Sequence, residues 1–447
     1  MRSFVKSILI LTFLLTAFLC SHNQTSSVSH PAWSYNKTIY EVNIRQYSKE
    51  GTFKAFEKHL PRLKKMGVGI LWLMPIHPIG EKNRKGTLGS YYSVKDYKDV
   101  NPEFGTLKEF KSLIDKIHKM GMYVIIDWVA NHTAWDNIWM SEHPEFYTKD
   151  SLGNFYPPVP DWADVADLNY DNKNLWAVMI DALKFWVQEY DIDGYRCDVA
   201  GMIPIEFWIE TRKELDKIKP VFMLAEWDTP EMHKAFDMSY DWSTHKLMNA
   251  IAKGEKTAED MFNNLNNDKN SYPQNAFRMH FTSNHDENTW NGTVFERLGR
   301  AAKLFAVFSF LIPDMPLIYT GQEAGLNKRL AFFDKDEVEW KEHEFRKLYS
   351  HLIKLKNNNE SLSNGETGGK ITWVNSIDKK SILAFTRTKN KDKIFVIFNF
   401  SDKEVEFELD GETIMGTYKN YFTGKIETFK NKGNFNLKPW EYRVYAK

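Results

Sequence analysis

Residues 174–217 read NLWAVMIDALKFWVQEYDIDGYRCDVAGMIPIEFWIETRKELDK. Asn174 to Tyr190 and Pro204 to Lys217 place apolar residues at helical spacing, and Asp193 to Asp198 between them is a short strand. Helix, strand and helix joined by brief loops are how a parallel sheet with crossover helices reads. Working outward from this unit, further strands are predicted at Thr38 to Ile44, Ile70 to Met74, Tyr123 to Asp127, Val221 to Glu226, Asp237 to Asp241 (the weakest), Ala276 to Thr282 and Pro316 to Tyr319. Helical patterns at Thr52 to Met66, Thr106 to Met120, Asn291 to Phe308 and Lys341 to Lys356 fall between or after them. Eight strands alternating with helices is the count of a closed (β/α)₈ TIM barrel.

The alternation is interrupted once. His132 to Asp171 is rich in Trp, Pro, Asp and Tyr and has no helical period, so 132–171 reads as a small domain inserted after strand 3, at the barrel mouth where function sits. After residue 361 the pattern changes to strands such as Ser381 to Arg387, Lys393 to Asn399 and Val405 to Leu409, which predicts an all-β sandwich over 362–447. The barrel with its insert then occupies 31–361.

The first twenty residues belong to targeting. Arg2 and Lys6 precede an apolar run from Ile8 to Leu19, too short to span a bilayer but suited to a secretory signal. The run ends on Cys20, the position a bacterial lipoprotein signal reserves for the lipidated cysteine, although Leu19 is larger than the residue usual before it. The expectation is a secreted bacterial protein, at the cell surface or in the periplasm, tied to the membrane only by a lipid on Cys20 through a polar tether at 21–30; an ordinary cleaved signal is the alternative. Only Cys197 would remain, so the mature chain can form no internal disulfide.

Composition narrows the partners. Lys plus Arg and Asp plus Glu both number 59, so no basic field invites nucleic acid. Aromatic residues reach 15%, with 15 Trp, which serves a barrel core and a sugar-stacking cleft equally well.

Three acidic residues stand at C-terminal ends of predicted strands: Asp198, Glu226 and Asp286. In a barrel those ends share one mouth, so carboxylates far apart in sequence become neighbours. Glycoside hydrolysis needs such a set: a carboxylate to attack the anomeric carbon, an acid to protonate the leaving oxygen, and negative charge beside an oxocarbenium-like transition state. Any one alone would more often be a strand-end salt bridge.

Their surroundings carry a resemblance. DWVANH at Asp127 to His132, GYRCD at Gly194 to Asp198, LAE at Leu224 to Glu226 and SNHD at Ser283 to Asp286 resemble the four short signatures of the α-amylase family, glycoside hydrolase family 13, in the family's order. Asp167-Leu168-Asn169, Met315 to Tyr319 and Gly321-Gln322-Glu323 extend the likeness. It implies a retaining hydrolase of α-1,4-glucosidic bonds in starch, amylose and maltodextrins, with Asp198 as nucleophile, Glu226 as acid/base and Asp286 as the third carboxylate. Arg196 precedes Asp198 by two, so strand alternation points both inward, and its permanent charge would keep Asp198 ionised. Cys197 would face the helices. His132 and His285 match histidines that bind the sugar at the cleavage point, and Tyr91 matches the tyrosine stacked beneath it, with Tyr92 one step away in register. Asn131, Asp167 and the backbone carbonyl of Met202 match ligands of a structural calcium ion.

Two departures touch the leaving-group side. Gly201 and Met202 stand where many members have Lys-His, and Thr289 where relatives often carry arginine. A cyclomaltodextrinase- or neopullulanase-like enzyme, a glucan transferase, and a surface protein that only captures glucan are the alternatives. Three like charges held together speak against the last.

Overall fold

The structure, a computed structural model, describes residues 28–447. The signal, Cys20 and most of the tether lie outside the described residues. Eight parallel strands close into a barrel: β1 (Ile39–Val42), β2 (Ile70–Leu73), β3 (Tyr123–Trp128), β4 (Gly194–Cys197), β5 (Phe222–Ala225), β6 (Met238–Tyr240), β7 (Phe277–His280) and β8 (Met315–Tyr319). Each pairs with its sequence neighbours among the eight, and β8 returns to β1 through Ile39 opposite Leu317.

The two-residue period of the strands sorts side chains between two cores. Ile39, Ile70, Trp72, Ile125, Phe222, Leu224, Met279 and Leu317 fill the barrel interior, while Tyr40, Leu71, Ile126, Tyr195, Cys197 and Met223 pack against the helices. Cys197 thus faces the helices and is buried. The inward columns start in hydrocarbon and end in polar groups: Ile39 is followed two residues on by Glu41, Ile125 by Asp127, and Leu224 by Glu226. Alternation therefore stacks an apolar floor under an ionisable mouth.

Two long helical stretches are divided. Thr52 to Met66 forms helices at Phe53–Glu57 and Leu60–Met66, the second with Pro61 in its first turn, where a residue without an N–H is tolerated. Asn291 to Phe308 breaks between Val294–Leu298 and Ala302–Leu311 at Gly299, whose φ of 51° favours glycine. The inserted segment pairs His132–Ala134 with Val165–Asp167 in antiparallel fashion above β3.

The C-terminal part is a sandwich of a six-stranded and a three-stranded antiparallel sheet. Strand Asp392–Asn399 shows its logic: Phe395 and Ile397 face the sandwich core, and Ile394, Val396 and Phe398 face the barrel helices. Phe308 of helix Ala302–Leu311 meets Phe398 and Phe400 at ring separations of 5.4 and 5.3 Å. Arg387 from the sandwich donates to the carbonyls of Leu311 and Ile312 at 3.0 and 2.8 Å, satisfying that helix's C-terminal end.

Candidate active site

The acidic residues of β3, β4 and β5 converge on one guanidinium. Arg196 is fully buried and donates through Nη1 to Asp127 and to Asp198, both at 2.8 Å. Its Nη2 lies 2.7 Å from Glu226 Oε1, an ion-pair contact out of line for a hydrogen bond. The backbone holds the two mouth carboxylates in the ladder one residue past each strand: Asp198 N–H donates to Trp128 O at 2.9 Å, and Glu226 N–H to Cys197 O at 3.0 Å. Glu226 Oε2 accepts the N–H of Val199 at 2.8 Å. Val199 has φ 38° and ψ 44°, a left-handed conformation that costs a β-branched residue about 1–3 kcal/mol and that aims this N–H at Glu226.

Asp286 enters from the loop after β7. His285 lies between carboxylates: Nδ1 is 2.5 Å from Glu41 Oε1, and Nε2 is 3.2 Å from Asp286 Oδ2 and 2.8 Å from the Tyr92 hydroxyl. Tyr92 donates to Asp127 Oδ2 at 3.1 Å, and Trp72 Nε1 donates to the same oxygen at 3.1 Å. A single π turn, Glu287–Asn291, then carries the indole of Trp290 out over the mouth, 53% exposed.

Five carboxyl groups, Glu41, Asp127, Asp198, Glu226 and Asp286, thus share two cationic ones, Arg196 and His285. The surplus is relieved by holding protons. Burial pushes Glu226 up to about 8; Arg196 pulls against it, and the charges of Asp198 and Asp286 add to the rise. Burial pushes Asp198 only to about 6, against Arg196 and with Asp127 adding. For Asp286 burial works upward too, but the His285 charge and hydrogen bond outweigh it and hold the carboxyl below its usual range. Burial opposes the charge on His285, yet Asp286 and Glu41 raise its proton affinity well above that of a free imidazole. At neutral pH the site therefore presents Asp198 and Asp286 ionised and Glu226 protonated. That is the assortment a nucleophile, a charge stabiliser and a general acid require.

The structure corrects the tyrosine. Tyr91 turns away from the carboxylates, donating to Asn43 Oδ1 at 3.2 Å with the Arg45 guanidinium 4.0 Å from its ring centre. Tyr92 is the one that faces the site, stacked on His285 at 5.5 Å. Both are aromatic and sit in a loop, where no strand alternation fixes which one points inward. His132 is buried beside Tyr92 and Trp162, and burial lowers its proton affinity to about 4, leaving a neutral ring.

Asn131 and Asp167 are neighbours, since His132 pairs in register with Asp167 and Leu168 N–H donates to Asn131 O at 3.1 Å. Asp167 takes the Thr148 hydroxyl and faces no cationic side chain within ion-pair distance among the described residues, so burial raises its proton affinity. An uncompensated carboxylate beside an amide oxygen suits a hard cation in kind. No three His, Cys, Asp or Glu side chains gather into a metal-binding group among the described residues.

The two departures find local reasons. A Cβ on Gly201 would fall within the indole of Trp227, so the missing side chain makes room for that ring, which lines one cavity with the acid Glu226. Thr289 turns from the mouth and donates to Leu330 O at 2.9 Å, tying two mouth loops together. Glu41, Asp127, Trp227 and Trp290 were not singled out from sequence, whereas Tyr92 was the neighbouring register of the tyrosine expected at 91. Asp127 sat inside a quoted motif, and the two-residue step from Ile39 to Glu41 was the available signal for the buried carboxylate.

Comparison with known proteins gives the family and the fold. The family model described as the α-amylase catalytic domain matches residues 18–160 and 150–421. Among solved structures, the chain is similar to a maltogenic α-amylase, AmyB, from Thermotoga neapolitana, with TM-score 0.85, 31% identity, and 92% of this chain and 98% of that one covered. It is also similar to an α-amylase from Lactobacillus plantarum, with TM-score 0.83, 32% identity, and coverage of 92% and 99%. Among curated sequences, α-amylase 2 of Dictyoglomus thermophilum is 25% identical, over 89% of this chain and 74% of its own length.

Proposed function

The chain belongs to the α-amylase family and is a glycoside hydrolase of α-glucans, and from that premise we propose that it cuts α-1,4 bonds of starch-type chains and maltodextrins by double displacement. The observation that carries this reading is the pair Asp198 and Glu226 on one guanidinium, which keeps the two carboxyls close, as the spacing of about 5–5.5 Å in retaining pairs requires.

The sugar whose bond breaks stacks on Tyr92 between His132 and His285. Asp198 attacks its anomeric carbon while Glu226 gives its proton to the departing oxygen; the C–O bond breaks and a glycosyl ester forms on Asp198. Glu226, now a carboxylate, takes a proton from water as that water attacks the same carbon, and Asp198 leaves with configuration retained. Asp286 carries negative charge next to the oxocarbenium-like transition state, and the His285 pair holds it there. Trp227 lies beside the acid and supports the leaving half of the chain.

Product analysis on soluble starch, a cyclodextrin and maltotriose tests the reading. Hydrolysis of starch to α-configured maltodextrins supports it. Inverted products, or activity confined to sucrose, trehalose or a β-glucan, overturns it.

Two further proposals concern what surrounds the reaction. Calcium held by Asn131, Asp167 and the Met202 carbonyl would tie the insert to the barrel and take no part in bond cleavage. It should raise the melting temperature with calcium excess, and a curve unmoved by strong chelator rejects it. Anchoring through a lipid on Cys20 would place the enzyme on the outer side of a bacterial membrane. Among the described residues no helix is long and apolar enough to cross one. Fatty-acid labelling lost in Cys20→Ala supports the anchor, and equal soluble release of both forms rejects it.

A further inference from the structure

The two flanks of the carboxylates are built differently. On the side of the acid, Val199, Glu226, Trp227, Trp242 and Lys246 line an open trough of about 510 Å³. Glu226 protonates the leaving oxygen, so this trough receives the leaving half of the chain. On the other side, beyond Tyr92, Phe332 lies nearly parallel to the Tyr92 ring, at 6.1 Å and 11°. Trp290, four residues past Asp286, and Phe333 close in around Phe332 at 5.3 and 5.0 Å.

A strap formed by residues 80–90 crosses that end and is tied down at both sides. Toward the loop after β8, Leu88 N–H donates to Phe333 O at 2.9 Å, and Thr87 donates to Asp334 Oδ1 through its N–H at 2.8 Å and its hydroxyl at 2.6 Å. Gly86 fits so closely that a Cβ there would stand 2.5 Å from Phe333 Cβ. Toward the insert, Lys85 pairs with the buried Asp164 at 3.1 Å and donates to the Asp161 carbonyl, with its ammonium 5.8 Å from the Phe333 ring centre. Glu81 N–H also donates to Asp136 Oδ2 at 3.1 Å. Lys85 thus stands between the insert and the β8 loop, paired with the first and close to the second.

We infer that this strap ends the cleft on the glycone side, so that the enzyme takes α-glucan chains by their free non-reducing ends and releases short products of uniform size. The inference rests on the reading above and deepens it: the substrate is a chain end, and the specificity-determining residues are Lys85, Phe333 and Trp290. A closed end next to an open trough admits one arrangement of a long chain, with its terminus against the strap and the remainder leaving over Trp227. Glucans carrying a substituent on the terminal sugar are excluded by the same wall.

The test compares maltoheptaoside with the same compound blocked by a 4,6-acetal on its non-reducing sugar. The wild type should hydrolyse the free form at least 100-fold faster, and the iodine colour of amylose should fade slowly relative to the gain in reducing ends. Lys85→Ala combined with Phe333→Ala should narrow the ratio of free to blocked hydrolysis at least tenfold, through a gain on the blocked compound. A melting curve for the variant separates opening of the strap from loss of fold. Equal hydrolysis of both compounds by the wild type overturns the inference and leaves the parent reading standing. Hydrolysis of neither overturns the parent reading and this inference with it. Should the double variant prove unfolded, the wild-type ratio and the iodine curve decide the matter.

Discussion

Glu41 Oε1 stands 2.5 Å from His285 Nδ1, with both side chains closed off from water. The pair joins the first strand to the loop after the seventh and fixes the imidazole as a cation that serves Tyr92 and Asp286 through Nε2. Glu41→Gln would replace a charge-assisted bond, worth about 1.5–3 kcal/mol, with a weaker neutral one. The expected result is a loss of about ten- to hundredfold in kcat/KM, together with a lower His285 titration point by NMR. A kcat/KM within twofold of wild type removes Glu41 from the catalytic network.

The pH profile should be a bell. Asp198 must be ionised, so the rate falls as pH drops through about 6; Glu226 must keep its proton, so the rate falls as pH rises through about 8. Initial rates on a soluble maltodextrin under kcat/KM conditions read both limbs. Glu226→Gln should lose the alkaline limb with most of the activity, and an alkaline limb unchanged in that variant assigns it to another group.

Asp198 and Glu226 should fail in different ways. Asp198→Ala cannot form the glycosyl ester and should lose every substrate. Glu226→Ala should lose starch yet still react with a glycosyl fluoride, whose leaving group needs little protonation. Azide, which needs no base, should then release a glycosyl azide of retained configuration. Rescue of Asp198→Ala with retention would reverse the assignment.

Gly201→Ala should push Trp227 out of its place beside Glu226. KM for maltoheptaose should rise several-fold while turnover of a glycosyl fluoride, which has no leaving sugar, stays near wild type. Trp227→Ala should reproduce the pattern. Equal losses on both substrates would show that the variant disturbs the carboxylates and not the leaving-group trough.

What sequence reveals here follows the range of the interactions involved. The barrel strands and the carboxylates at their ends were readable because each is a local pattern, an apolar run closed by an acid. The inward direction of Arg196 followed from a two-residue step. Glu41 and Asp127 escaped notice because a buried carboxylate is defined by partners distant in the chain: His285 for one, Trp72, Tyr92 and Arg196 for the other. The choice between Tyr91 and Tyr92 lay in a loop, where periodicity is silent. The breaks at Pro61 and Gly299 were marked in the sequence, but apolar spacing across them masked the change of direction.

The strand at residues 392–399 uses both faces, and this makes the sandwich inseparable from the barrel in practice. A chain cut at residue 361 would bare Phe305 and Phe308 of the helix 302–311, each worth about 1.5–3 kcal/mol of burial. It would also leave the Leu311 and Ile312 carbonyls without the arginine that caps them. The isolated barrel would then carry a sticky aromatic face, and its fate in solution would be self-association. For anyone trimming this enzyme to a minimal catalyst, the C-terminal 86 residues are a solubility element, and a soluble shorter version would first need polar side chains at 305 and 308.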